Sequence, residues 1–191
     1  MPYIDGCSSI SQAGRSGDTI LYYRVLVFPY AVVLMLFWLY SKKWLEYIHG
    51  HATKSAQSIF WLGMVGSIGL LVYIDFLGTA GEYNRLLRRV GAALYFVLIP
   101  VAQSLLLYQH YKILRTKPDV PVKPAVLRYQ FVVISLMWML AVASVFLALA
   151  GLKTSEMENV VEWNYSLMVN LYSAGMILLW KDFKLGFRNI N

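Results

Sequence analysis

Five apolar runs constrain this chain more than anything else in it. They cover residues 20–40, 58–77, 90–109, 131–152 and 160–180. About 20 apolar residues in helical form cross the hydrocarbon core of a bilayer. In that medium every backbone N–H and C=O must be satisfied within the protein, so runs of this length predict helices. The short alternating segments that would build a β-barrel do not occur. The expected fold is all-α: a multi-pass transmembrane bundle of five helices in a single membrane domain, 1–191, with an external tail at 1–19 and a cytoplasmic tail at 181–191.

Composition agrees with a lipid environment. Only 14% of residues are charged, against ~25% in an average soluble domain. The net charge of +7 could point to nucleic acid. However, the basic residues flank the apolar runs instead of forming one stripe, which is the pattern of helix-end anchors. Cys7 is the one cysteine, so neither an internal disulfide nor a cysteine-built zinc site is open to the chain. The opening segment MPYIDGCSSISQAGRSGD is polar and lacks the basic and apolar regions of a signal peptide.

Lys and Arg set the expected orientation. Lys42, Lys43, Lys54, Lys112, Arg115, Lys117, Lys123, Arg128, Lys181, Lys184 and Arg188 fall on one side. Arg15, Arg24, Arg85, Arg88, Arg89 and Lys153 fall on the other, together with seven of the ten carboxylates. The resulting charges, +8 and −1, predict an external N-terminus and a cytoplasmic C-terminus.

Against that bias, the segment 75–91 (DFLGTAGEYNRLLRRVG) reads as a polar external hairpin holding Asp75, Glu82, Arg85, Arg88 and Arg89. Three arginines on the translocated side need compensation. Asp75, Glu82 and Glu162 are the candidates to supply it, with one arginine left over for a phosphate. Arginine suits that task because its planar fork matches phosphate geometry. Arg24, near the external end of the first run, joins the same cluster or snorkels to headgroups.

The runs also carry internal punctuation. Gly63, Gly66, Ser67 and Gly69 in the second, and Ala141, Ser144, Ala148 and Gly151 in the fourth, read as small-residue faces that let helices approach closely. Pro29 is of a kind tolerated in membrane helices, and Pro100, Gln103 and Ser104 must face protein or a wet cavity. In the fifth run Glu162, Ser166, Asn170 and Ser173 form one polar stripe, read either as interhelical hydrogen bonding or as the wall of a polar cleft. The Pro-rich 117–124 segment is a stiff linker.

Other chemistries find no support. His49 and His51 lack further ligands for a metal. No histidine is expected on the external side to complete a Ser-His-Asp site with Ser8, Ser9 or Ser11. No nucleotide-binding glycine pattern occurs, so no cofactor is expected. The sequon at Asn164 falls inside a helix start and is not read as a glycosylation site.

Three places resemble one known superfamily. Ile10-Ser11-Gln12-Ala13-Gly14 resembles an Ile-Ser-x-x-Gly element. Asp75, a short loop and then Gly91-Ala92 resemble its central hairpin, and Glu162-Trp163 with Asp182-Phe183 resemble its terminal signature. The superfamily is that of small multi-pass proteins including the FRAG, DRAM and SFK proteins, the GPI-anchor remodelling proteins and the N-terminal part of CWH-type proteins. The resemblance implies a six-helix fold with the Ile-Ser-x-x-Gly element after the first helix. This sequence opens inside that loop, so against the resemblance a helix is missing or the start is truncated. Relatives often carry a histidine where this chain has Arg88, and an arginine stays protonated, which weighs against acid–base work there.

Three functions are compatible with these features. The first is a lipid-associated protein whose external cluster (Arg24, Asp75, Glu82, Arg85, Arg88, Glu162) binds or organises anionic phospholipid or glycolipid headgroups, with or without a membrane-protein partner. The second, implied by the resemblance, is a lipid- or GPI-anchor-remodelling enzyme using Asp75 or Glu162 as base beside Arg88. The third is a scaffold whose charges only neutralise one another. A lipid-sized groove with converging charges would favour the first two.

Overall fold

The computed structural model describes residues 1–15, 17–117, 119–181 and 183. Within them the secondary structure is helical: α1 (Ile10–Ala13), α2 (Thr19–His49), α3 (Lys54–Asp75), α4 (Glu82–Thr116), α5 (Pro124–Leu149) and α6 (Ser155–Trp180). The long helices alternate in direction. The α3–α4 and α5–α6 turns and the N-terminal segment therefore share one end of the bundle, called here the hairpin end.

Each of the five apolar runs lies within or largely overlaps a helix, but the helices are longer than the runs. The largest difference concerns the expected hairpin. Helix α4 begins at Glu82 instead of near 90, so the loop shrinks to 76–81. Arg85, Arg88 and Arg89 stand on the first turns of a helix. The physical reason is local. Glu, Arg and Leu are good helix formers, and Glu82 in the first turn suits the positive end of the helix dipole. Gly78 and Gly81 take positive φ (82° and 102°) to turn the chain in the short loop that remains.

Helix ends have identifiable stops. Gly50, left-handed at φ 83°, returns its N–H to Glu46 and Tyr47 after α2. The Thr53 and Thr154 hydroxyls cap α3 and α6. Pro124 opens α5, where its missing N–H costs nothing. Short α1 is closed by a reciprocal box between Ser9 and Gln12.

Packing is tightest between α3 and α4. A methyl group on Gly91 would come within 2.6 Å of Gly69 O and Tyr73 N, and one on Gly69 within 2.9 Å of Gly91 O. The backbones touch because neither position has a side chain. Further along α3, the Trp38 ring of α2 lies directly on Gly63, and Ile99 covers Gly66. The small-residue face of α3 is thus a packing face, as expected. The same device on α5 is not. Ala148 and Gly151 are exposed, while Ala141 and Ser144 line a groove. Helix α5 pairs instead with α6, where Gly175 receives Tyr129 and the Tyr129 hydroxyl donates to Leu171 O at 3.0 Å.

Proline 100 removes the N–H that would have bonded Phe96 O. The Tyr165 hydroxyl of α6 supplies the replacement at 3.1 Å. One turn further along α4, buried Gln103 donates to Val169 O (3.0 Å) and Ser173 Oγ (3.2 Å). These bonds tie α6 to α4. At the far end, Phe183 packs against Tyr40, Trp44 and Tyr47, and its carbonyl accepts from Tyr40. Asp182 lies outside the described residues.

Helices α2 to α5 are long and apolar enough to cross a membrane. Their outward faces are apolar: Val25, Leu26, Val32 and Val33 on α2, and Phe131, Met139, Val142 and Phe146 on α5, are all exposed. Large contiguous exposed apolar surfaces of this kind mark contact with lipid or another apolar partner.

Replacing Gly91 with Ala forces the α3–α4 backbones apart and is expected to cost about 1–3 kcal/mol. Thermal unfolding in detergent checks this. An unchanged melting temperature would mean that the helices do not cross at this point.

Candidate functional site

The hairpin end carries two adjoining cavities. The larger, of about 750 Å³, is a groove between α4, α5 and α6. Arg88 and Arg89 stand on its α4 wall, Lys153 and Glu158 at its rim, and Phe96, Val97, Trp138 and Ala141 along its apolar length. The smaller, of about 230 Å³, is a cleft between α2, α3, α4 and α6 lined by Tyr23, Tyr30, Tyr73, Tyr95, Glu162 and Asn170. Tyr73, Ala92, Phe96 and Glu162 face both.

The N-terminal segment forms part of this site. Asn159 Nδ2 donates to Gly6 O (2.8 Å), Trp163 Nε1 to Ser8 O (2.9 Å) and Asn164 Nδ2 to Tyr3 O (2.9 Å). The Tyr3 ring meets Trp163 at a tilt of 59°, with 5.3 Å between ring centroids. Gly6 is left-handed at φ 60° and sits against the Glu156 backbone, so only a residue without Cβ fits there. The segment expected as an external tail is therefore strapped along the start of α6. It delivers Ile10 to the cleft, where the Ile10 N–H bonds the Glu162 carboxylate. Ser11 bonds Ser9 at 3.0 Å, and Gly14 lies flat on the Tyr23 ring. At the rim, Glu156 stands in the first turn of α6, its carboxyl held below the usual range by its own N–H and by the Thr154 and Ser155 hydroxyls.

The structure divides the six residues expected to form one charged cluster. Arg88 and Glu162 share the groove. Arg24 does not reach it: its Nη2 donates to Asp75 O (3.0 Å) and Leu77 O (3.1 Å), capping the carbonyls at the end of α3. Asp75, Glu82 and Arg85 are exposed and line neither cavity. The expected compensation is also missing. Among the described residues, ion pairs join Met1 to Asp5, Lys42 and Lys43 to Glu46, and Lys153 to Glu158, and none involves an arginine. The polar stripe of α6 splits by height. Ser166 and Asn170 line the cleft, while Ser173 bonds Gln103. Of the motif residues, Gly91 makes the α3–α4 crossing, Ala92 lines both cavities and Trp163 holds the strap. No cluster that could hold a metal occurs among the described residues.

Several site residues escaped the sequence reading. Lys153 enters the sequence pattern only as one of the charges on the external side. The tyrosines of the cleft were not singled out, although Tyr23 and Tyr30 stand two turns apart on α2, and Arg88, Ala92 and Tyr95 follow the i, i+4, i+7 spacing of one α4 face. That spacing was the available signal.

The class the fold defines is an all-helical protein with four helices apolar enough to cross a membrane and a charged groove at one end. Neither family models, curated proteins nor solved structures give a match to the chain.

Replacing Gly6 with Ala is expected to release the strap. Hydrogen exchange across 1–14 then rises severalfold, while exchange at the α3–α4 crossing stays unchanged. Unaltered protection of 1–14 would show that the segment does not depend on its seat against α6.

Proposed function

We propose that this chain is an integral membrane protein of the FRAG/DRAM/SFK type that binds a phosphate-bearing lipid headgroup in the groove between α4, α5 and α6. In this reading five helices, α2 to α6, cross the bilayer. The N-terminus is outside, the C-terminus is cytoplasmic, and the groove opens to the outer leaflet. The observation that carries it is the groove itself: about 750 Å³, with two arginines at one end and an apolar wall running away from them. Pockets of ~300–1,000 Å³ hold small ligands. An amphiphile with an anionic head matches both parts of this one.

Helix α6 fits the role of a fifth crossing because its polar side chains turn inward. Glu162, Ser166 and Asn170 face the cleft and Ser173 bonds Gln103, while Leu167, Leu171, Ile177 and Leu178 remain exposed. Polar groups in a membrane helix belong on protein or cavity walls. The family resemblance gains support from the meeting of its three motif regions, since Ile10, Ala92 and Glu162 line the same cleft.

Arg88 and Arg89 have no ion-pair or hydrogen-bond partner among the described residues, so removing their charge leaves the fold intact. The Arg88→Gln, Arg89→Gln variant is expected to lose about tenfold or more in retention of a phosphate-bearing lipid, at ~1 kcal/mol per charge near the membrane surface. Native mass spectrometry of the full chain, released from lipid-containing micelles, measures this. Equal retention by the variant and the parent contradicts the reading.

A further inference from the structure

The groove holds uncompensated charge of both signs. Lys153 and Glu158 at the rim satisfy each other at 3.3 Å. Arg88, half-buried, has no acceptor among the described residues, and Glu162, also half-buried, has no cation. The two line the same groove yet do not pair with each other. A carboxylate withdrawn from water without a counter-charge is costly, and membrane surroundings raise the cost. A simple anion would neutralise an arginine but would leave Glu162 as it stands.

A second observation lies beside Glu162. Tyr73 is 7% exposed and lines both cavities, and its hydroxyl is enclosed by protein beside the Tyr23 hydroxyl, with the Glu162 charge close by. Ser166 and Asn170 add further polar atoms on the same wall. The cleft thus gathers polar groups around a negative charge, immediately next to a groove that gathers cations.

We infer that the bound headgroup is zwitterionic, a phosphodiester carrying a primary ammonium, with its phosphate at Arg88 and Arg89 and its ammonium in the cleft against Glu162. A primary ammonium brings three N–H donors, as a lysine does. It satisfies the carboxylate by hydrogen bond as well as by charge. A quaternary ammonium has no donor to offer it. The Ile10 N–H on Glu162 fixes the carboxylate at the boundary of the two cavities. The apolar wall of Val97, Trp138 and Ala141 takes the start of the acyl chain, which makes the source a lipid and not a soluble phosphodiester. The inference rests on the lipid-binding reading above and specifies its ligand.

Competition between lipids tests it. The full-length chain in detergent receives equal amounts of phosphatidylethanolamine, phosphatidylcholine and phosphatidylglycerol of matched chains, and native mass spectrometry counts the bound species. The expected result is about a tenfold preference for phosphatidylethanolamine over each of the others, from one charge-assisted contact. Glu162→Gln should erode that preference while still retaining lipid. Retention of phosphatidylglycerol or phosphatidylcholine equal to or above phosphatidylethanolamine overturns the zwitterion but leaves the lipid-binding reading standing. Retention of no lipid, or full displacement by equimolar glycerophosphoethanolamine, overturns the lipid-binding reading itself. A preference unchanged in Glu162→Gln overturns the assignment of the ammonium to the cleft.

Discussion

Close contact between the backbones of α3 and α4 at Gly69 and Gly91 determines most of what surrounds the site. With no side chain at either position, Gly91 O approaches the α3 backbone and Tyr73 lies against the α4 turn that also bears Ala92 and Tyr95. In a membrane the hydrophobic effect does not press helices together, so such close packing is the main source of their association. The crossing fixes the height of Arg88, less than a turn before Gly91. It also fixes which face of α4 is left for α6. Tyr165 then completes the carbonyl that Pro100 frees, and Gln103 reaches Val169 and Ser173. Helix α6 is thereby held on α4, while the hairpin-end half of α5 remains exposed and lets the groove exist.

Charge at the hairpin end obeys the same economy of partners. Arg24 finds backbone carbonyls, Lys153 finds Glu158, and the N-terminal strap finds the side chains of Asn159, Trp163 and Asn164. What remains without an ion-pair partner among the described residues lies along the cavities: Arg88 and Arg89 on one side, Glu162 on the other. Arg88 and Glu162 are half-buried, and burying a charge without a partner is costly; the proposed ligand supplies the missing partners.

Much of the fold was legible in the sequence because hydrocarbon length and backbone satisfaction leave few choices. The five apolar runs correspond to the bodies of α2 to α6. Their ends were misjudged where polar helix formers carry a helix beyond the apolar stretch, as at Glu82–Arg89 and at the His49 end of α2. Small residues were read correctly on α3 and wrongly on α5, since Ala148 and Gly151 fit a packing face and an open one equally well. The site was half legible. Charge asymmetry pointed to Arg88 and Glu162, but nothing local told Arg88 from Arg85, or revealed that Arg24 would meet main-chain oxygens. The tyrosines were hidden because their type is as common in membrane-helix cores and interfacial belts as in ligand clefts.

Position-specific photo-crosslinking tests the central claim, that the groove holds a lipid through its arginines. A benzophenone side chain placed at Ala141 faces the groove, and one at Val142 faces outward from the same helix. Both should capture phospholipid in native membranes. The account predicts that Arg88→Gln with Arg89→Gln sharply lowers the lipid adduct at 141 and leaves that at 142 unchanged. Adducts at 141 that match those at 142 in both backgrounds would contradict it, because the groove would then be wetted only by bulk lipid.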